Sequence, residues 1–323
     1  MTKQTRLFML SSAAVLVVGL CTVLVAYYGG MPVGEASQVS VSASELRYVP
    51  ADASVVAFAN VREVMDSDLR RRLQDGQTDD NRERQREFED STGISLETDV
   101  DRVVATMVRR GDDGDGVAIV SGRFNPTQLE AFGRAHGATL DDYRSVRLVR
   151  GGRDDDTVLA FVEPGVVIFG DADGVLRAID AREDGPTVET NADLMRLVDE
   201  IEPNANAWAV GRFDELASQA DLPDNVTSQI PPIQWFSASG RVDSGVDGTV
   251  RAETRDEQAA NDLREVVRGF LALARMQVGS EPDLGTVLQG LQIGGVGSTV
   301  AITFSLPAQA IDAILSRERR QAD

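Results

Sequence analysis

The sequence predicts an α+β fold, mainly an antiparallel sheet with packed helices, preceded by one N-terminal transmembrane helix. Three observations lead to this expectation. Short β-rich runs are joined by turns of Gly, Asp and Pro, helical patterns alternate with these runs, and one long uncharged apolar run lies near the N-terminus. Tight turns between successive strands favour antiparallel pairing, and such a sheet buries one face against helices.

The apolar run extends from Leu7 to Tyr28 and is 22 residues long. As a helix it measures about 33 Å, enough to cross a hydrocarbon core of about 30 Å. Lys3 and Arg6 precede it and acidic residues follow it, so the positive-inside rule places the N-terminus in the cytoplasm. We expect a single-pass protein of the bacterial cytoplasmic membrane with a cytoplasmic tail at 1–6 and an extracytoplasmic body.

Two alternatives to an uncut anchor have weaker support. A cleaved signal peptide has a shorter apolar core of about 7–15 residues, and the best cleavage site, after Ala36, is a poor match. A lipoprotein signal needs small residues directly before Cys21, where Leu20 stands. The length of the run therefore favours an anchor, followed by a small and polar linker at 29–44 and a domain at 45–323.

Charge restricts the partners of the exported part. The chain has 52 acidic residues against 32 Lys and Arg, a formal net charge of −20, and two of the basic residues precede the apolar run. The part beyond the run therefore carries −22. This surface repels nucleic acid, whose binding requires cations that neutralise phosphates. It suits a basic protein partner, a divalent ion, or solubility alone.

The first part of the domain opens with a strand and a helix. We expect a strand at Ser54–Asn60, one helix after it, and a hairpin around the turn GDDGDG. A second helix should begin at Asn125, since Asn caps well and Pro126 suits the first helical position. It should end at Gly137, which suits the left-handed residue after a helix.

The second part continues the same alternation. Three runs, YRSVRLVR, TVLAFVE and VVIFGD, predict an antiparallel meander, and helices follow at 174–181 and 192–200. Thr254 and Glu257 predict a capping box for the longest soluble helix. Its expected buried face consists of Ala260, Leu263, Val267, Phe270, Leu271 and Ala274.

A short sequence similarity within the chain suggests two related halves. Both VAIVSGRFNPTQLEAF and WAVGRFDELA have a strand, then Gly-Arg-Phe, then a helix start. Duplication of one α/β unit would give halves at 45–185 and 186–323. A chance match of a few residues is the alternative.

The chain resembles uncharacterised families of bacterial exported or membrane-anchored proteins. The resemblance is carried by the anchor and by the segments VPADASVVAFANV, IVSGRF and AETRDEQAANDLREVVRGFLALAR. The resemblance covers Leu46 to Leu315. It implies a location and a style of fold, and it implies no activity and no functional residue.

Several chemistries are excluded by residue counts. Lys3 is the only lysine, Cys21 the only cysteine and His136 the only histidine. The exported part therefore has no lysine for a Schiff base, no Cys–His pair and no disulfide within the chain. A zinc site built from several histidines is excluded in the same way. We expect no cofactor and assign no catalytic residue.

The remaining candidates have simpler structural explanations. His136 lies at a predicted helix end, where it should cap carbonyl groups rather than act as a base. Two acidic clusters are weak candidates for a metal site, since carboxylates are calcium ligands. They lack the EF-hand spacing and lie at predicted turns, which favour Asp for geometric reasons. Their members are Asp112, Asp113, Asp115, Asp154, Asp155 and Asp156.

These observations favour a non-catalytic, membrane-anchored accessory or scaffold protein that docks on another envelope component. The first alternative is an exported hydrolase that uses acidic residues, with or without a metal. The second is a binding module for an apolar ligand, held between sheet and helices.

Overall fold

The structure is a computed structural model that describes residues 44–74, 86, 89–90, 92–110, 113–151, 156–214, 231–277 and 282–311. The predicted anchor at Leu7–Tyr28 and nearly all of the linker lie outside this part of the chain. Within the described ranges, no helix is both long and apolar enough to cross a membrane.

The chain divides into two compact units. The second unit consists of the described residues from Ala207 onward together with Ser67–Leu69, and the first unit consists of the other described residues. The first unit contains an antiparallel sheet of seven strands. They are β1 (Ala53–Ala59), β2 (Val100–Arg110), β3 (Asp113–Gly122), β4 (Thr139–Tyr143), β5 (Val146–Arg150), β6 (Thr157–Glu163) and β7 (Val166–Asp171). Their order in the sheet is β1-β2-β3-β7-β6-β5-β4.

Short helices connect and cover these strands. A 3-10 helix (Ser44–Tyr48) opens the described chain, and a second one spans Val188–Thr190. The α-helices are α1 (Val61–Met65), α2 (Asp68–Gln74), α3 (Leu96–Asp99), α4 (Pro126–Ala135), α5 (Ala172–Glu183) and α6 (Ala192–Asp199). Three of them begin in the same way: the side-chain oxygens of Asn60, Asn125 and Asn191 accept a backbone N–H three residues later, at 3.1, 3.3 and 3.2 Å. This is the interaction that makes Asn a strong N-cap.

The second unit contains five antiparallel strands and two helices. The strands are β8 (Ala207–Arg212), β9 (Ile233–Val242), β10 (Gly245–Thr254), β11 (Gln292–Gly294) and β12 (Thr299–Pro307), in the order β11-β12-β10-β9-β8. The helices are α7 (Glu257–Gln277) and α8 (Pro282–Gln289). Ala260 and Leu263 of α7 pack with Val300 of β12 in a buried cluster.

Most of the predicted elements are confirmed. The fold is α+β with a large antiparallel sheet, the GDDGDG hairpin pairs β2 with β3, and the meander is β5-β6-β7. Helix α4 begins after Asn125, and Gly137 has a φ of 87°, in the left-handed region that suits a residue just beyond a helix. The proposed halves at 45–185 and 186–323 stay a prediction.

Three local expectations were wrong, and one of them is the burial of Phe270, which is 40% exposed. The single helix expected after β1 is two helices, α1 and α2, because the N–H of Leu69 donates to Asp243 O at 2.7 Å instead of continuing a helical ladder. The cap of α7 is Asp256, whose Oδ1 accepts from Ala259 N at 2.8 Å. Thr254 instead donates its hydroxyl to the carbonyl oxygens of Asp256 and Ser298, so no capping box forms.

Candidate docking surface

The second half of α7 carries an exposed apolar stripe, which consists of Phe270, Leu273 and Met276. Their exposed fractions are 40%, 55% and 81%, and only two other large hydrophobic residues, Phe169 and Val296, are exposed among the described residues. Single apolar residues on a surface need no explanation, whereas several on one helix face mark an interaction site.

The stripe follows from the spacing of its residues. Each residue turns a helix by about 100°, so a step of three residues falls short of a full turn by about 60°. Leu263 and Val267, four residues apart, stay on the side that packs against the sheet. Phe270, Leu273 and Met276 follow in steps of three, and each therefore rotates farther from the sheet. This explains why exposure rises along the stripe.

The helix that presents the stripe is fixed to its unit. Arg264 Nη2 donates to the carbonyl oxygens of Gly297 and Thr299 at 3.2 and 2.7 Å. The buried cluster around Leu263 holds the same half of the helix against the sheet. The exposed side chains of Asp262 and Glu265 lie in this anchored half, and Glu265 forms an ion pair with Arg268, which precedes the stripe. The apolar surface is thus presented by a supported helix with charged residues at one end.

A shallow groove in the first unit is the second candidate. Its volume is about 390 Å³, and it is lined by Pro50, Ala51, Asp52, Arg177, Asp180, Ala181, Gly185 and Pro186. The prolines and alanines form apolar parts of its wall, and the charged side chains already have partners. Arg177 pairs with Asp52, and both oxygens of Asp180 accept from the hydroxyl of Tyr143, at 2.9 and 3.1 Å.

Arg144 forms ion pairs with two aspartates of this region, Asp180 and Asp184. Its Nη1 lies 2.6 Å from Asp184 Oδ2, and its Nε lies 2.7 Å from Asp180 Oδ1. The hydrogen bond that Arg144 donates to Asp184 is the largest of several contributions that raise the pKa of Arg144 above its ordinary value. Because these charges bind one another, the groove shows no unmet requirement for a ligand.

A buried tyrosine fixes the first residues of the domain. Tyr48 is fully buried, with the guanidinium carbons of Arg47 and Arg182 at 5.1 and 5.8 Å from the centre of its ring. Glu163 forms ion pairs with both arginines. Burial raises the pKa of the Tyr48 hydroxyl above its ordinary value, and the hydrogen bond with Glu163 raises it further.

Two more charged pairs have buried members in the first unit. Glu45 is buried beside Tyr48 and lies 2.8 Å from Arg102 Nη2. Arg70 and Glu97 are both nearly inaccessible, with 3.7 Å between Nη2 and Oε1. Burial lowers the pKa of Arg70, and the charge of Glu97 opposes that effect. Sequence reasoning missed both pairs, because each joins residues far apart in the chain without a local signal.

The histidine that the sequence predicts as a helix cap lies in the described part of the chain and has that role. His136 caps α4: its Nδ1 lies 2.9 Å from Phe132 O, and its ring packs 4.2 Å from that of Phe132. Trp208, in β8, is buried.

The acidic clusters stay a prediction. Asp113 and Asp115 belong to β3, and Asp156 is exposed before β6, whereas Asp112, Asp154 and Asp155 lie outside the described residues. Within the described part of the chain, no three His, Cys, Asp or Glu side chains are grouped so that they could hold a metal ion.

Comparison with known proteins gives a fold relationship alone. No family model matches the chain, and no curated protein matches it. Crystal form I of the protein TP0453 is similar in structure, with a TM-score of 0.50 and 10% sequence identity over 85% of this chain and 98% of that one. Crystal forms III and IV give TM-scores of 0.47 and 0.46, with 11% and 10% identity, over 85% of this chain and 99% and 97% of theirs.

Proposed function

We propose that the chain is a membrane-anchored extracytoplasmic accessory or scaffold protein that docks on another envelope component through the apolar stripe of α7. The exposure of Phe270, Leu273 and Met276 on one helix is the observation that carries this proposal. A stable interface has an apolar core and a polar rim, and the stripe with the nearby charged residues has this composition.

The charge of the exported part favours a basic partner. Its net charge of −22 would speed encounter with a positively charged surface, and this effect would weaken as salt screens it. The anchor at Leu7–Tyr28 is part of the proposal. It would hold the domain near partners in the same membrane, where a short tether raises the effective concentration to the millimolar range, of order 1 mM.

Purification from gently solubilised native membranes tests this function. A tag at the C-terminus of the full chain should retrieve a partner in constant proportion, and retrieval should survive moderate salt. Leu273→Asp should reduce that retrieval strongly, because a charge in the apolar core of an interface is costly to bury. Phe169→Asp is the matched control, since Phe169 is exposed to 46%, similar to Leu273, but lies on β7.

A chain that is retrieved alone contradicts the proposal. That outcome would direct attention to screens for a hydrolase activity and for apolar ligands. Equal losses from Leu273→Asp and Phe169→Asp would also contradict it, because the effect would then not belong to α7.

A further inference from the structure

We draw no further inference here: the strongest candidate, the row of apolar side chains that crosses one face of the first unit's sheet at Ala105, Ala118, Phe169 and Leu159, is partly exposed, and nothing in the described part of the chain shows what covers it.

Discussion

Helices α5 and α7 each pack on the sheet of their own unit, and their outer faces differ. Arg177, Asp180 and Arg182 of α5 bind side chains from other parts of the first unit. The outer face of α7 instead ends in an apolar stripe that reaches 81% exposure at Met276. The internal interactions of α5 account for its surface, whereas those of α7 leave apolar area in water, at a cost of about 25 cal/mol per Å².

This difference indicates which surface another protein should use. Binding at α5 would first have to break existing ion pairs, each of which contributes little on a surface but has to be replaced. Binding at the apolar stripe of α7 would remove apolar area from water, and only a partner that also covers Glu265 would compete with its ion pair to Arg268. Substitutions should therefore affect folding at α5 and its neighbours, and association at α7.

The largest effect on folding is expected at Tyr48, which packs beside α5. Tyr48→Ala removes a fully buried aromatic side chain and should lower the free energy of unfolding by about 3–5 kcal/mol. Leu273→Ala on α7 should change it by less than about 0.5 kcal/mol, because the side chain is already exposed. Urea denaturation followed by circular dichroism measures both. Similar losses at the two positions would remove the distinction between the helices.

A smaller loss is expected at Glu45. Glu45→Ala leaves Arg102 without this carboxylate, and the free energy of unfolding should fall by about 2 kcal/mol, typical of a hydrogen bond to a charged group. Asp247→Ala, an exposed carboxylate on β10, should stay within about 0.5 kcal/mol of the wild type. A neutral result for Glu45→Ala would mean that the start of the domain is not held by this pair.

The pH dependence at Tyr48 gives a third test. Its pKa is raised in the folded state, so the stabilisation from its protonated hydroxyl is fully present below the ordinary value of about 10 and is lost as the pH rises through the folded pKa. In urea titrations between pH 8 and 11, the wild type should lose more stability than Tyr48→Phe. Parallel curves for the two proteins would show that the hydroxyl does not titrate differently in the folded state.

The smallest effect is expected in the turn that places Arg144 beside α5. Arg144 and Ser145 have φ values of 45° and 65°, a region that suits glycine. Ser145→Gly should raise the free energy of unfolding by about 0.5–1 kcal/mol, since it relieves strain but adds freedom to the unfolded chain. Ser145→Ala keeps the strain and should show no gain. A gain of equal size from alanine would argue against backbone strain.

Local signals in the sequence predicted the limits of α4, because Asn125, Pro126 and Gly137 act within a few residues of the helix ends. They predicted the buried face of the first half of α7, where Ala260, Leu263 and Val267 pack against the sheet, but not the buried face of its second half. Both faces of its second half are apolar, so Phe270 was assigned to the sheet side although the structure exposes it to 40%. The contact between Tyr48 and Arg182 joins distant parts of the chain, and no local pattern reports such a contact.

Photo-crosslinking from the two helices tests the central claim most directly. The full chain in native membranes would carry benzoylphenylalanine at position 273 of α7 or at position 177 of α5. The account predicts one dominant adduct with another envelope protein from position 273, and little or none from position 177. An adduct only from position 177, or equal adducts from both, would contradict docking through α7.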